Sequence, residues 1–82
     1  MKVIIYTTPT CVFCQQTKEF FNKHQIEYEE KNVAADTQAA KEMVDLSHQM
    51  GVPVVVVKKD DTQEVVVGFD KARLMQILGI ND

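Results

Sequence analysis

The sequence predicts one α/β domain over residues 1–82, a four-stranded mixed sheet flanked by three helices in the order β-α-β-α-β-β-α. Three observations carry this reading. Two short apolar runs, Val3-Ile4-Ile5-Tyr6 and Val54-Val55-Val56-Val57, are continuous rather than alternating, as in strands covered on both faces. Three other segments space their apolar residues three and four apart, the period of a helix. A polar cluster, Lys58-Lys59-Asp60-Asp61, separates two valine-rich runs and marks a hairpin.

Each element follows in order. Residues 2–7 form the first strand. From about 12 to 24 the spacing is helical: Phe13, Thr17, Phe20 and His24 share one stripe, and Cys14, Thr17 and Phe21 the next. Residues 27–33 are mostly polar and suit an edge strand. Asp36 is placed to cap a second helix over 37–49, with Ala39, Ala40, Met43, Val44, Leu46 and Met50 at helical spacing. Phe20, Phe21 and the methionines are expected in the core. After the strand at 54–57, Glu64 to Val67 returns antiparallel. Asp70 then caps a last helix bearing Leu74, Ile77 and Leu78, with Gly79 just past its end. His24 and His48 fall near helix ends, where an imidazolium suits the dipole. The first crossover is right-handed and makes a parallel pair. The apolar strands belong in the middle and 27–33 at an edge. This is the thioredoxin fold in its minimal form.

Composition limits the function classes. A chain that is 45% apolar and 26% charged has the balance of an ordinary soluble globule. Its net charge of −3 argues against nucleic acid, whose backbone demands a basic face. The longest apolar run, Val52 to Val57, is far below the ~20 residues of a membrane helix. The N-terminus enters a strand at once with no export signal, so a cytoplasmic location is expected. No linker, repeat or low-complexity stretch interrupts the chain.

The chemistry lies in Cys11-Val12-Phe13-Cys14, which holds both cysteines of the chain. A C-x-x-C in a cytoplasmic protein points to redox work or metal binding rather than a structural disulfide. A zinc site needs four ligands, and no second pair exists. The motif begins where an apolar strand ends and a helix starts, so Cys11 meets free N–H groups and the helix dipole, which favour a thiolate. One turn on, Cys14 faces the core. A thiolate with a second sulfur three residues away is the working part of a dithiol–disulfide exchanger. Phe13, between the two sulfurs, is expected to stay partly exposed and pack on the substrate.

Cys11-Val12-Phe13-Cys14, Gly51-Val52-Pro53 and Gly68-Phe69-Asp70, in that order and spacing, resemble glutaredoxin and its small bacterial glutaredoxin-like relatives. The similarity spans nearly the whole chain. It implies a thiol–disulfide oxidoreductase that reduces disulfide-containing or glutathionylated proteins, with Cys11 and Cys14 catalytic. It implies a substrate- or glutathione-binding set of Val12, Phe13, Val52, Pro53, Gly68, Phe69 and Asp70. Within that set Pro53 has a cis peptide bond, Val52 offers its backbone to the substrate as an extra strand partner, and Gly68-Phe69-Asp70 holds the γ-glutamyl end of glutathione. Asp70 has the plainer use of helix cap as well.

Two departures bear on the electron donor. The dipeptide between the cysteines is Val12-Phe13 where the family often has Pro-Tyr, and Thr8 stands where many members have lysine. The resemblance favours glutathione as reductant, with no tightly bound cofactor. Val12 and the single glycine of Val67-Gly68-Phe69 also resemble the redoxins that serve ribonucleotide reductase and draw electrons from thioredoxin reductase. A third reading is an iron–sulfur carrier, in which the first cysteine and glutathione bridge a [2Fe–2S] cluster between two chains. A monomer is expected, with no nucleic-acid or membrane partner.

Overall fold

The structure, a computed structural model, describes residues 1–80. Its elements are β1 (Lys2–Thr7), α1 (Val12–Lys23), β2 (Glu29–Asn32), α2 (Thr37–Ser47), β3 (Val54–Lys58), β4 (Gln63–Val67) and α3 (Lys71–Leu78). The strands form one sheet in the order β2-β1-β3-β4. β1 runs parallel to β2 and antiparallel to β3, and β4 is antiparallel to β3. The two apolar strands are central and the polar one is an edge, as their compositions require.

The continuous apolar runs follow from burial on both sides. Val3 and Ile5 of β1, with Val55 and Val57 of β3, pack against Phe20 and Phe21 of α1 and Leu74 of α3. Their strand neighbours Ile4, Tyr6, Val54 and Val56 point the other way, onto Ala39 and Met43 of α2. Every residue of β3 from Val54 to Val57 is fully buried. Each such side chain contributes about 1.5–3 kcal/mol of transfer free energy. This two-sided core holds the ends of the central strands in fixed register.

Three expectations need correction. β2 covers four residues rather than 27–33: its pairing with β1 runs from Glu29 to Asn32, where the chain turns and Asn32 O accepts the Ala35 and Asp36 N–H groups, while the Tyr28 ring before it packs on Phe21 with centroids 5.3 Å apart. α2 ends at Ser47 rather than residue 49. His48 takes a left-handed φ of 60° and returns its N–H to Val44 O at 2.7 Å, closing the helix. The chain then leaves the helical path, so Met50 is 82% exposed instead of packing on the α2 stripe. Met1 is also exposed, and of the methionines only Met43 is fully in the core.

Candidate active site

Register gathers the three motifs at one end of the sheet. Tyr6 pairs with Val54, and Val54 with Val67. The exit of β1, the entry of β3 and the exit of β4 therefore lie in one row. Cys11-Val12-Phe13-Cys14, Val52-Pro53 and Gly68-Phe69-Asp70 emerge just beyond it.

Cys11 is the N-cap of α1. Its backbone is extended (φ −89°, ψ 111°), and its Sγ accepts the Cys14 N–H at 3.0 Å. A turn from Thr8 leads into it, with the Cys11 N–H on Thr8 O at 3.4 Å. The helix runs on from there because Gln15 N–H reaches Cys11 O at 3.2 Å. Cys11 is half-exposed, whereas Cys14 is 1% exposed. The two are joined as a disulfide with Cα atoms 5.2 Å apart. Val12 and Phe13 project outward, at 64% and 60% exposure. Below them the buried Thr17 hydroxyl donates to Phe13 O at 2.8 Å, steadying the first turn.

The Val52–Pro53 peptide is cis, the geometry the resemblance implies. Pro53 is buried and Val52 half-buried. Pro53 O accepts the Gly68 N–H at 2.8 Å, which joins the second and third motifs directly. Gly68 has a φ of 79°, a left-handed turn that glycine adopts without strain. Phe69 stacks edge-on against Phe20 of α1 at 6.1 Å, and Asp70 Oδ1 caps α3 by accepting the Arg73 N–H at 3.1 Å.

Two lysines are held by carboxylates on neighbouring elements. Lys18 is paired with Glu30 at 3.0 Å, and the same carboxylate oxygen accepts the buried Thr7 hydroxyl at 2.7 Å. The Thr7 bond, and then Lys18, hold the Glu30 carboxyl below its usual range. Lys31 is paired with Glu42 at 2.9 Å, and that bond raises the lysine above its ordinary value. Glu42 also accepts the Tyr6 hydroxyl at 3.2 Å; burial first, then the Glu42 charge, push that phenol up. Lys23 and Lys71 line an open cleft of about 300 Å³ with Gln16, Glu19, Phe20 and Phe69.

One cluster had no sequence signal. Ser47 and Gln49 build a hydrogen-bonded loop around Gly51, immediately before Val52. It depends on the left-handed His48, a conformation that a histidine does not announce.

The family model described as Glutaredoxin matches residues 3–61. The chain belongs to the glutaredoxin family. A glutaredoxin-like 8.6 kDa protein from the rubredoxin operon of Clostridium pasteurianum is 39% identical over 74 residues, covering 90% of this chain and 93% of that one. The crystal structure of a mutant of the thioredoxin-like protein BC3987 superposes with a TM-score of 0.87 at 32% identity, covering 98% of this chain and 97% of that one. The glutaredoxin-like protein NrdH-redoxin of Escherichia coli superposes with a TM-score of 0.78 at 26% identity, covering 94% and 95%. This family member is a thioredoxin-fold redox protein with a Cys11–Cys14 pair. Among the described residues no helix is long and apolar enough to cross a membrane, and no three His, Cys, Asp or Glu side chains gather as a metal site.

Proposed function

We propose that the protein is a dithiol–disulfide oxidoreductase in which Cys11 attacks and Cys14 resolves. The observation that carries this is the seat of Cys11: a half-exposed residue at a helix start, its Sγ receiving the Cys14 N–H at 3.0 Å, beside the buried Cys14. Both the donated hydrogen bond and the helix dipole favour the thiolate. The Cys11 thiolate attacks one sulfur of a substrate disulfide, and the other leaves as a thiolate that takes up a proton. Cys14, deprotonated as it attacks, displaces the substrate from the mixed disulfide. The second substrate thiolate is protonated in turn. The substrate gains two electrons and Cys11–Cys14 becomes the disulfide seen here. Val12 and Phe13 offer an apolar ledge for the substrate, and the Val52 backbone a strand partner.

For the donor, the site supports a thioredoxin reductase better than glutathione. The Gly68 N–H is taken by Pro53 O, and the Asp70 carboxylate occupies the α3 start. Thr8 brings no cation, and Lys18 and Lys31 are paired elsewhere. A tripeptide with two carboxylates finds little counter-charge there, although Lys23 and Lys71 beside Phe69 keep glutathione as the second reading. The E. coli NrdH-redoxin, whose activity profile is described as thioredoxin-like, supports the first.

Two NADPH-coupled assays decide between them, one with thioredoxin reductase alone and one with glutathione and glutathione reductase. Turnover only in the first is expected, and turnover only in the second reverses the donor. A brown protein after anaerobic purification would assign the chain to the iron–sulfur carriers instead.

A further inference from the structure

We propose that Gln49 is a positioning residue for the redox site, its carboxamide holding the backbone that presents Val52 to a protein substrate. The inference rests on the disulfide-reducing function proposed above. Gln49 Oε1 accepts the Gly51 N–H, and Gln49 Nε2 donates to Gly51 O at 2.9 Å. One side chain thus satisfies both polar backbone groups of Gly51, as a neighbouring strand would. Nε2 also reaches Ser47 Oγ at 3.2 Å. Ser47 is anchored in turn, its hydroxyl 2.6 Å from Met43 O and 3.1 Å from Gln49 O. The end of α2 is thereby tied to the segment entering Pro53.

Gly51 supplies the second observation. Its φ is not left-handed, so the conformation does not call for glycine. A Cβ there would lie 2.8 Å from Gln49 Oε1, too close for the carboxamide to stay in place.

Val52 follows directly, and its far side is fixed by Pro53, whose carbonyl holds Gly68. With Gly51 held as well, both flanks of Val52 are ordered before a substrate arrives. Ordering in advance lowers the cost of docking an extended segment. A small disulfide, which has no backbone to pair, gains nothing from it. Gln49 should therefore act on apparent affinity for protein disulfides and leave the attack by Cys11 alone.

The test uses the full chain, reduced beforehand and followed in single turnovers, which removes the donor from the measurement. Two disulfides are compared, insulin and 5,5′-dithiobis(2-nitrobenzoate). In Gln49→Ala the half-saturating insulin concentration should rise about tenfold, the scale of two lost hydrogen bonds. The maximal rate and the small-disulfide rate should stay within about twofold. Gly51→Ala evicts the same carboxamide from the other side and should behave alike, and the double variant should be no worse than either single one. Gln49→Glu keeps the size and the acceptor but loses the donor, so a smaller rise is expected and folding is not in question. An unchanged insulin half-saturation in these variants overturns the proposal. So does an equal loss on both disulfides, or additive effects in the double variant. If the wild-type protein reduces neither disulfide, the oxidoreductase reading itself fails, and that is visible before any variant is made.

Discussion

Three helices in this molecule begin in the same way, and one of them begins with sulfur. Asp36 Oδ1 accepts the Ala39 N–H at 3.1 Å and Asp70 Oδ1 accepts the Arg73 N–H at 3.1 Å. Cys11 Sγ accepts the Cys14 N–H at 3.0 Å, at the same offset of three residues. The three cap backbones all lie outside the helical region, with φ of −89°, −117° and −109° and ψ of 111°, 102° and 87° for Cys11, Asp36 and Asp70. A carboxylate in this seat satisfies an orphan N–H and does no more. A thiol in the same seat is offered the same stabilisation for its anion, and the anion is a nucleophile. Cys11, the nucleophile proposed above, is a helix cap whose atom has been changed.

The sharpest way to break the comparison is to exchange the atoms. Cys11→Asp should restore an oxygen cap and abolish turnover entirely, because the Cys14 sulfur that remains is buried and cannot reach a substrate disulfide. It should also be more stable than Cys11→Ala by about 1 kcal/mol, the usual worth of a cap. Thermal unfolding and insulin reduction measured on both variants check the two halves separately. Residual turnover in either variant would remove Cys11 from the role of nucleophile.

A second test separates the two sulfurs. Cys14→Ser should leave the first attack intact but strand the mixed disulfide, so covalent adducts with protein substrates accumulate and multiple turnover falls by orders of magnitude. In that variant the Cys11 alkylation rate should reach its plateau at a pH below that of free cysteine, since cap and dipole favour the thiolate. A plateau at the free-cysteine pH would mean that the helix start confers nothing.

The oxygen caps are expected to have smaller, purely structural effects. Asp36→Ala and Asp70→Ala should each cost about 1 kcal/mol, a fall of roughly 4–8 °C in Tm for a domain of this size. Asp70→Asn keeps a good cap and removes the charge. If Asp70 only caps, this variant should hold the stability that Asp70→Ala loses, and its turnover in the reductase-coupled assay should match the wild type. A change in glutathione-dependent turnover in Asp70→Asn would instead return glutathione to the site.

What could be read in the sequence depended on how local its cause was. The central strands were legible because burial on both faces leaves no polar position in Val54 to Val57. The caps Asp36 and Asp70, and the inward placement of Cys14, were legible because a helical period fixes them within four residues. The end of α2 was not, because His48 turns left-handed without a glycine to signal it. That one residue moved Met50 into solvent and created the Gln49–Gly51 loop. Nor could the sequence show that Lys18 and Lys31 are engaged by Glu30 and Glu42, since those partners come from other elements.

The two helices beside β2 extend the contrast between a sulfur start and an oxygen start. α1 is tied to β2 by Lys18–Glu30, and α2 by Lys31–Glu42. Each carboxylate also accepts a hydroxyl from β1, but Thr7 lies 2.7 Å from Glu30 while Tyr6 lies 3.2 Å from Glu42. The shorter bond is the main reason the Glu30 carboxyl lies below its usual range, with Lys18 second. The folded state therefore binds fewer protons than the unfolded chain across that interval. The stabilisation is complete above the ordinary glutamate range and is lost as pH falls through it and then through the lowered folded value. Glu30 is 39% exposed at its side chain, so solvent screening keeps the effect small, about 0.2–1 kcal/mol. Unfolding measured between about pH 3 and 7 should show a shallower acid slope in Glu30→Gln than in the wild type. Thr7→Val, which removes the first cause and leaves Lys18, should fall between them. Equal slopes in Glu30→Gln and wild type would show that the Thr7–Glu30–Lys18 group does not help hold α1, and with it the cysteine cap, against the sheet.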